Sequence, residues 1–261
     1  MLTFNVRYDE PRDGVNAWPL RKEYLIQTIR ALDPDLIGLQ EPDGNQGAFI
    51  AAALAEGWES RHGASLDARH PDAHGKAILL RRGRFEELAR GRFWISATPD
   101  VPGSILQPNH WGQRTAVWAR LKDRDGGREF FFACTHVDTH PGCHLASARI
   151  LDRELKRVTG DTPSIVVGDF NAPAGGEAWA HLTGPAGYRD AWREAGRPDE
   201  GVMSYHAYGQ EPAPPPGGNR RIDWILVRGP LRVEAAGMDT RSRDGRYPSD
   251  HHAVHARLEW A

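Results

Sequence analysis

Residues 164–171 read Ser-Ile-Val-Val-Gly-Asp-Phe-Asn, and this stretch constrains the fold more than any other in the chain. An apolar, β-branched run of this kind forms a buried strand. Gly168 ends it abruptly and leaves two polar side chains, Asp169 and Asn171, two residues apart. In an extended chain that spacing puts both on one face. A carboxylate and an amide at the lip of a sheet are costly to bury, and together they suit the orienting of water and charge. The chain therefore reads as an enzyme organised around a sheet edge.

The remaining segments supply partners for that strand. Residues 2–7 read as a strand, Leu25, Ile29 and Leu32 share one face of a helix that Pro34 closes, and Asp35 to Gln40 reads as a second strand. This is the β-α-β rhythm of a layered α/β fold. Further strands are expected near 76–81, 85–95, 114–122 and 129–137. A helix follows over 143–158, with Ala148, Leu151, Leu155 and Val158 at helical spacing, and leads into the strand 164–170. A short helix around 176–183, strands at 222–228 and 231–238, and a last strand from Ala253 to Trp260 complete the pattern. The Pro- and Gly-rich stretch from Asp100 to Gln113 is long for a loop in a compact domain, and loops of that length cover sites. Residues 210–219 are too short for an interdomain linker, so residues 1–261 read as one domain.

With 261 residues, 39% of them apolar, and nine Trp, the chain can fill a substantial core. A formal charge of −2 offers no bulk positive grip on nucleic acid. Local arginine groups could still meet phosphates; Arg81-Arg82-Arg84 reads first as a solvated turn, and Arg220-Arg221 gains weight from its neighbours. Cys134 and Cys143 match no zinc spacing and are too few to staple a domain of this size, so they read as structural thiols. No run approaches 18 apolar residues, and the amino terminus opens directly on the strand-like Leu-Thr-Phe-Asn-Val. The expectation is a cytoplasmic monomer without a transmembrane segment, with a trimmed signal peptide as the alternative.

Polar residues fall repeatedly at strand ends. Asn5 sits inside the first strand, Glu41 ends Leu36–Gln40, His136 ends Phe131–Thr135, and Asp169 and Asn171 end the opening strand. Asp223 interrupts Arg221-Ile222-Asp223-Trp224-Ile225, and Asp250-His251 precedes the last strand. Taken singly, Asn5 is an ordinary structural amide, Glu41 before Pro42 a turn residue, and His136 a core histidine. Asp223 is harder to dismiss, because an ionised carboxylate there needs Arg220 or a histidine as partner. Independent accidents seldom all fall at strand ends, and in a layered α/β fold those ends form one rim.

The segments Thr3-Phe4-Asn5, Leu39-Gln40-Glu41, Thr135-His136-Val137-Asp138, Gly168-Asp169-Phe170-Asn171, Arg221-Ile222-Asp223-Trp224 and Ser249-Asp250-His251 occur in the order found in the endonuclease/exonuclease/phosphatase superfamily. The resemblance spans residues 2 to 258. It is similar to bacterial single-domain members, which also carry segments like Phe93-Trp94-Ile95-Ser96, Pro102-Gly103-Ser104 and Gly245-Arg246-Tyr247-Pro248.

That resemblance implies a four-layer α/β sandwich, two mixed β-sheets packed face to face with helices on the outside. It also implies divalent-metal-dependent hydrolysis of a phosphate ester. Glu41, the Asn5 carbonyl and Asp250 are hard oxygen donors that suit Mg²⁺ or Mn²⁺. Asp169 would orient or deprotonate the attacking water, and Asn171 would fix the nucleophile or a phosphate oxygen. His251 is expected near the phosphate with Asp223 on its other ring nitrogen, and His136 on a non-bridging oxygen. The resemblance leaves open whether Asp169 or the Asp223–His251 pair is the base; the reading adopted is Asp169.

Two departures bear on the site. Asp72-Ala73-His74-Gly75-Lys76 stands where relatives carry Gly-Glu, so His74 takes the place of an acid and Asp138 becomes the candidate support for His136. Thr139-His140-Pro141-Gly142-Cys143-His144 replaces the usual run after the histidine, and His74, His140 and His144 read as surface histidines or as a second, softer metal site. Arg114, Asp138, His206, His74 and Trp111 are the candidate substrate contacts, the indole suiting a base, a sugar or an aryl group. The expected substrate is a small phosphodiester or phosphomonoester of a sugar, nucleotide or lipid headgroup. A nuclease of single-stranded or damaged nucleic acid and a non-catalytic binding module are the alternatives.

Overall fold

The computed structural model of the protein describes residues 1–62 and 75–261. Its first sheet holds β1 (Leu2–Asn5), β2 (Leu36–Gln40), β3 (Trp58–His62), β4 (Lys76–Arg81), β11 (Leu231–Asp239) and β12 (Ala253–Trp260), in the order β11-β12-β1-β2-β4-β3. Its second holds β5 (Phe85–Trp94), β6 (Thr115–Asp123), β7 (Glu129–His136), β8 (Ser164–Asp169), β9 (Arg189–Asp190) and β10 (Asp223–Arg228), in the order β5-β6-β7-β8-β10-β9. Helices α1 (Trp18–Leu32) and α2 (Gly44–Ala53) belong to the first half. The second half carries α3 (His144–Thr159), α4 (Glu177–Thr183) and α5 (Ala191–Glu194).

Period-2 alternation explains the layers. Leu36, Phe132, Cys134, Ile165, Val167 and Ile225 face one another between the sheets, while Ile37, Leu39, Leu25 and Ile29 pack the outer face of the first sheet against α1. Val166, Leu226, Leu151 and Leu155 pack the outer face of the second against α3. Four layers result, with three apolar clusters between them, and the fold is the expected sandwich of two mixed sheets.

The same alternation carries polar residues into the seam between the sheets at one end. Each inward-facing row runs from apolar to polar: Leu36 to Gln40, Cys134 to His136, Val167 to Asp169, and Ile225 back to Asp223. Topology brings these ends together. β1 and β2 are parallel, as are β7 and β8, so each helical crossover returns the chain to finish at the same lip. The antiparallel neighbours start where those strands stop: Asp223 lies opposite Asp169, and β12 runs against β1 with Val254 opposite Thr3.

Several boundaries differ from the sequence expectation. The chain turns after β1, β2 and β8 because Arg7, Glu41 and Asn171 adopt left-handed backbone with φ of 54°, 69° and 50°. Asn171 is therefore not on an extended continuation of β8; its backbone N–H instead donates to Asp169 Oδ1 at 2.9 Å. The helix α2 was not anticipated because two glycines fall in its first turn, although Asp43 and Gln46 form a full capping box ahead of it. β3, β9 and α5 are also additions, the latter two only two and four residues long. Both cysteines are free and buried, Cys134 Sγ taking a hydrogen bond from Gln40 Nε2 at 3.1 Å. Among the described residues no helix is long and apolar enough to cross a membrane.

At Gly38 the two sheets are in close contact. A Cβ there would lie 2.4 Å from Val167 Cγ2 and 3.2 Å from Cys134 Sγ, closer than packed atoms allow. Gly38→Ala is expected to lower stability by about 1–3 kcal/mol, read as a lower urea midpoint at unchanged slope. An unchanged or higher midpoint would show that the seam has slack.

Candidate active site

Asp169 is the hub of the polar seam. Its Oδ1 accepts the Asn171 N–H, and its Oδ2 accepts from Asn5 Nδ2 at 3.0 Å, with His136 Nε2 at 3.4 Å and His251 Nε2 at 3.6 Å. Burial, joined by the negative charge of Asp223, pushes its carboxyl up to about 7 against the pull of His251 and the Asn5 amide. A carboxyl so placed exchanges protons near neutral pH.

His251 has the opposite character. Its Nδ1 lies 2.8 Å from Asp223 Oδ2, so it carries the proton and the ring orientation is fixed. Burial works against the charged ring, but Asp223, Asp169 and Asp250 outweigh it and raise its pKa to about 10. At neutral pH this is an imidazolium. Asp223 is in turn positioned by Ser204 Oγ, which accepts the Asp223 backbone N–H at 3.0 Å.

Glu41 and Asp250 line the cavity beside this pair. Glu41 Oε1 accepts from Asn5 Nδ2 at 2.9 Å and Oε2 from the Tyr8 N–H at 3.0 Å, while Asp250 Oδ2 faces Arg7 Nε at 3.8 Å. Burial and the like charge of Glu41 raise the Asp250 carboxyl, a strain that a cation between the two carboxylates would relieve. The oxygen-only donors at the lip thus fit a hard divalent ion. Asn5 here turns its amide nitrogen to Glu41 and its Oδ1 to the Arg7 N–H, so ligation through that oxygen requires the amide to turn over. A second set able to hold a metal is Asp169, Asp223 and His251, whose ligand atoms lie within 4.8 Å of one another. Within that set Asp223 and His251 are already joined by a hydrogen bond of their own.

His136 is backed by Arg114, whose Nη1 lies 3.2 Å from His136 Nδ1. The ring's other nitrogen, Nε2, lies 3.1 Å from Asn171 Nδ2 and 3.4 Å from Asp169 Oδ2, so a donor stands at each end of the imidazole. Asp138 stands behind Arg114, with Oδ2 3.5 Å from Nε. Its oxygens also accept the backbone N–H groups of His110, Trp111 and His140 at 2.8, 2.9 and 2.9 Å. Asp138 thus reaches His136 through Arg114 rather than touching it, and it is spent on holding two loops instead of facing the cavity.

The cavity, about 280 Å³, is lined by Glu41, His136, Asp169, Asn171, Asp250, His251, Arg114 and Trp111 from the sequence-predicted set. Asn5 and Asp223 lie just beneath it, bonded to Asp169 and His251. His206 is buried away from it, stacked on His252 at 4.0 Å between ring centroids. His74 lies outside the described residues. His140 and His144 are used structurally, Nδ1 of the first accepting the Gly142 N–H and Nε2 of the second 3.1 Å from the Asp138 carbonyl. Sequence reasoning missed Arg7, Tyr8, Thr139, Tyr205 and Ile222, which complete the lining. The available signal was Ser204-Tyr205-His206, where the backbone bridge to His251 turns Tyr205, not His206, to the cavity.

The arginine groups flagged in the sequence are engaged elsewhere. Arg81 pairs with Asp33, Arg84 with Asp123 and Asp125, and Arg220 with Glu211. Arg221 is fully buried between Asp190 and Asp199, at 2.6 and 2.7 Å.

Burial, with neighbouring histidines adding to it, pushes His206 down to about 3 and His252 down to about 4. Both rings are neutral in the fold, whereas an unfolded histidine takes up its proton near pH 6.5. The unfolded chain therefore binds the extra protons below that pH, and the stability these rings contribute, complete above pH 6.5, is lost as pH falls toward 4. The raised Asp169 carboxyl works in the opposite direction over the same range, so the readout is a difference: from pH 7 to 5 the melting temperature of His206→Asn should fall less, or rise more, than that of the wild type. An equal pH slope in the two proteins would contradict this assignment.

Comparison with known proteins agrees with the fold. The profile of the Endonuclease/Exonuclease/phosphatase family matches residues 2–251. Nocturnin of Drosophila melanogaster is 31% identical over 172 residues, which is 60% of this chain and 24% of that protein. Nocturnin of Mus musculus is 28% identical over 178 residues, 39% of its length, so the chain spans less than half of these relatives. Among solved structures, an endonuclease/exonuclease/phosphatase from Bacteroides vulgatus superposes with a TM-score of 0.87 at 28% identity, covering 100% of this chain and 98% of that one. The mannosyl-6-phosphatase of Bacteroides thetaiotaomicron gives 0.84 at 24% identity over 99% and 98%, a likeness of fold. With the profile matched along nearly its whole length, the chain belongs to the Endonuclease/Exonuclease/phosphatase family, whose members are metal-dependent hydrolases of phosphoester bonds.

Proposed function

We propose that the protein is a divalent-metal-dependent phosphoester hydrolase acting on a small phosphorylated metabolite or headgroup, by direct attack of water. The observation that carries the reading is the surroundings of Asp169, with one buried oxygen facing Asn5, His136 and His251 at the floor of a small cavity. Glu41 and Asp250, joined by Asn5 once its amide turns, would hold Mg²⁺ or Mn²⁺. When bound, the ion draws charge from a phosphoryl oxygen and stabilises the leaving oxygen.

The side chains divide the remaining work. Asp169, poised near neutrality, orients the water and takes its proton. Asn171, on the turn that follows, lines the cavity beside it and places the nucleophile against the phosphorus. His251, held as an imidazolium by Asp223, offers a charged N–H donor to a phosphate oxygen. His136, lining the cavity beside Asp169, meets another. The two carboxyl-bearing residues thus have separate tasks: Asp169 handles the proton, and Asp223 keeps His251 charged and aimed.

The small cavity and the commitment of Arg81, Arg84, Arg220 and Arg221 to ion pairs favour a compact substrate over a nucleic acid strand. Both bis-p-nitrophenyl phosphate and p-nitrophenyl phosphate should be tested with Mg²⁺ and Mn²⁺, with single-stranded nucleic acid in parallel. Hydrolysis of at least one ester, abolished by chelator, is expected. His251→Gln should lower kcat by roughly 10²- to 10⁴-fold. Glu41→Gln should raise the metal concentration for half-maximal rate about tenfold or more. No turnover of either ester with either ion would refute the proposal, and cleavage confined to nucleic acid, falling steeply with salt, would replace it with the nuclease reading.

A further inference from the structure

We propose that the Tyr205 hydroxyl donates a hydrogen bond to the oxygen that leaves phosphorus. The inference rests on the hydrolase reading above and deepens it. In that reading His251 and His136 meet phosphate oxygens and Asp169 takes the proton of the water, so the departing alcohol has been given no protein donor.

Tyr205 sits on a strap across the seam. Met203 bridges to Arg220 just ahead of β10, and Tyr205 bridges to His251 just ahead of β12, so residues 203–206 join the two sheets at the lip. Backbone bonds hold both sides. Ser204 N–H donates to the Arg220 carbonyl at 3.1 Å, His252 N–H to the Ser204 carbonyl at 2.7 Å and His206 N–H to the Asp250 carbonyl at 2.9 Å. Ser204 Oγ also accepts the N–H groups of Ile222 and Asp223 at 2.9 and 3.0 Å. Alternation along the strap buries Ser204 and His206 and turns Tyr205 to the cavity, its ring centroid 5.0 Å from that of His251.

The ring is thus fixed while its hydroxyl is unspent. The hydroxyl makes no hydrogen bond to any described residue and is not sealed from solvent. Burial raises the pKa of the phenol, and the negative charges of Asp250 and Glu211 add to this, so it keeps its proton at neutral pH and acts as a neutral donor. Asp250 and Glu41 are the cavity carboxylates whose charge acts on it, which sets the hydroxyl toward their side of the cavity. An in-line displacement sends the departing oxygen away from the water that Asp169 holds. A pre-placed donor at an oxygen that gathers negative charge is worth roughly 10²- to 10³-fold in rate.

Benzyl and p-nitrophenyl phosphate, or the corresponding diesters where the wild type hydrolyses only those, test this with Mg²⁺ or Mn²⁺, because a nitrophenolate leaves with little help and an alkoxide does not. Tyr205→Phe keeps the ring against His251 and removes a group with no bond in the fold, so its melting temperature should match the wild type. Its kcat on the benzyl ester should fall by roughly 10²-fold, and on the p-nitrophenyl ester by about tenfold less. Equal losses on the two esters, or no loss on either, would overturn the role of Tyr205, and so would a lowered melting temperature, which would assign the hydroxyl to the fold. In each of these cases turnover by the wild type leaves the hydrolase reading standing. No turnover of either ester by the wild type would overturn both.

Discussion

Everything at the lip of this sandwich answers to one buried carboxylate. Asp169 is 1% exposed at the seam of two sheets, where an unpartnered charge costs several kcal/mol. Its neighbours meet that demand in distinct ways. The Asn5 amide and the Asn171 N–H donate to it, His136 Nε2 lies 3.4 Å from it, and His251 brings a positive charge that needs Asp223 for its own stabilisation. The two histidines have different second partners: a carboxylate behind His251 favours the charged ring, and a guanidinium stands behind His136 Nδ1.

The backbone makes this constellation cheap to assemble. Parallel pairs β1–β2 and β7–β8 deliver four strand ends to one edge, and antiparallel β10 and β12 begin there. Left-handed turns at Arg7, Glu41 and Asn171 then bend the chain away so that the side chains, not more strand, fill the lip. Such residues each cost on the order of 1 kcal/mol or more and persist where the surroundings over-determine them. Arg21 is one reason they persist here. Its buried guanidinium donates to the carbonyls of Val6, Arg7 and Pro248, tying the segment after β1 to the one before β12, while Ser249 Oγ donates to the Asn5 carbonyl at 2.7 Å.

The parts of the fold that were legible in the sequence are those with a period. The apolar runs of β2, β7, β8 and β10 end in polar residues, and alternation alone places those residues on one face; four layers and a polar rim follow. What lacked a period stayed hidden, as with the glycine-opened α2 and the two-residue β9. The site was legible wherever chemistry marked the residue, and less so where register decided. His206 attracts notice as an imidazole, but its neighbour Tyr205 faces the cavity, because adjacent residues in extended chain point opposite ways. Asp138 was marked as a contact and serves as an anchor: the N–H groups of His110 and Trp111 from a distant loop converge on it together with that of His140, two residues on, and the long-range pair leaves no local pattern.

The central claim is that water attacks phosphorus with Asp169 as its base. Hydrolysis of a p-nitrophenyl ester in ¹⁸O-labelled water, by the wild type and by Asp169→Asn, tests it most directly. The account predicts label in the phosphate-bearing product, none in p-nitrophenol, and a fall in kcat of roughly 10³-fold in the folded variant. A near-normal rate in Asp169→Asn, or label in the phenol, would contradict it.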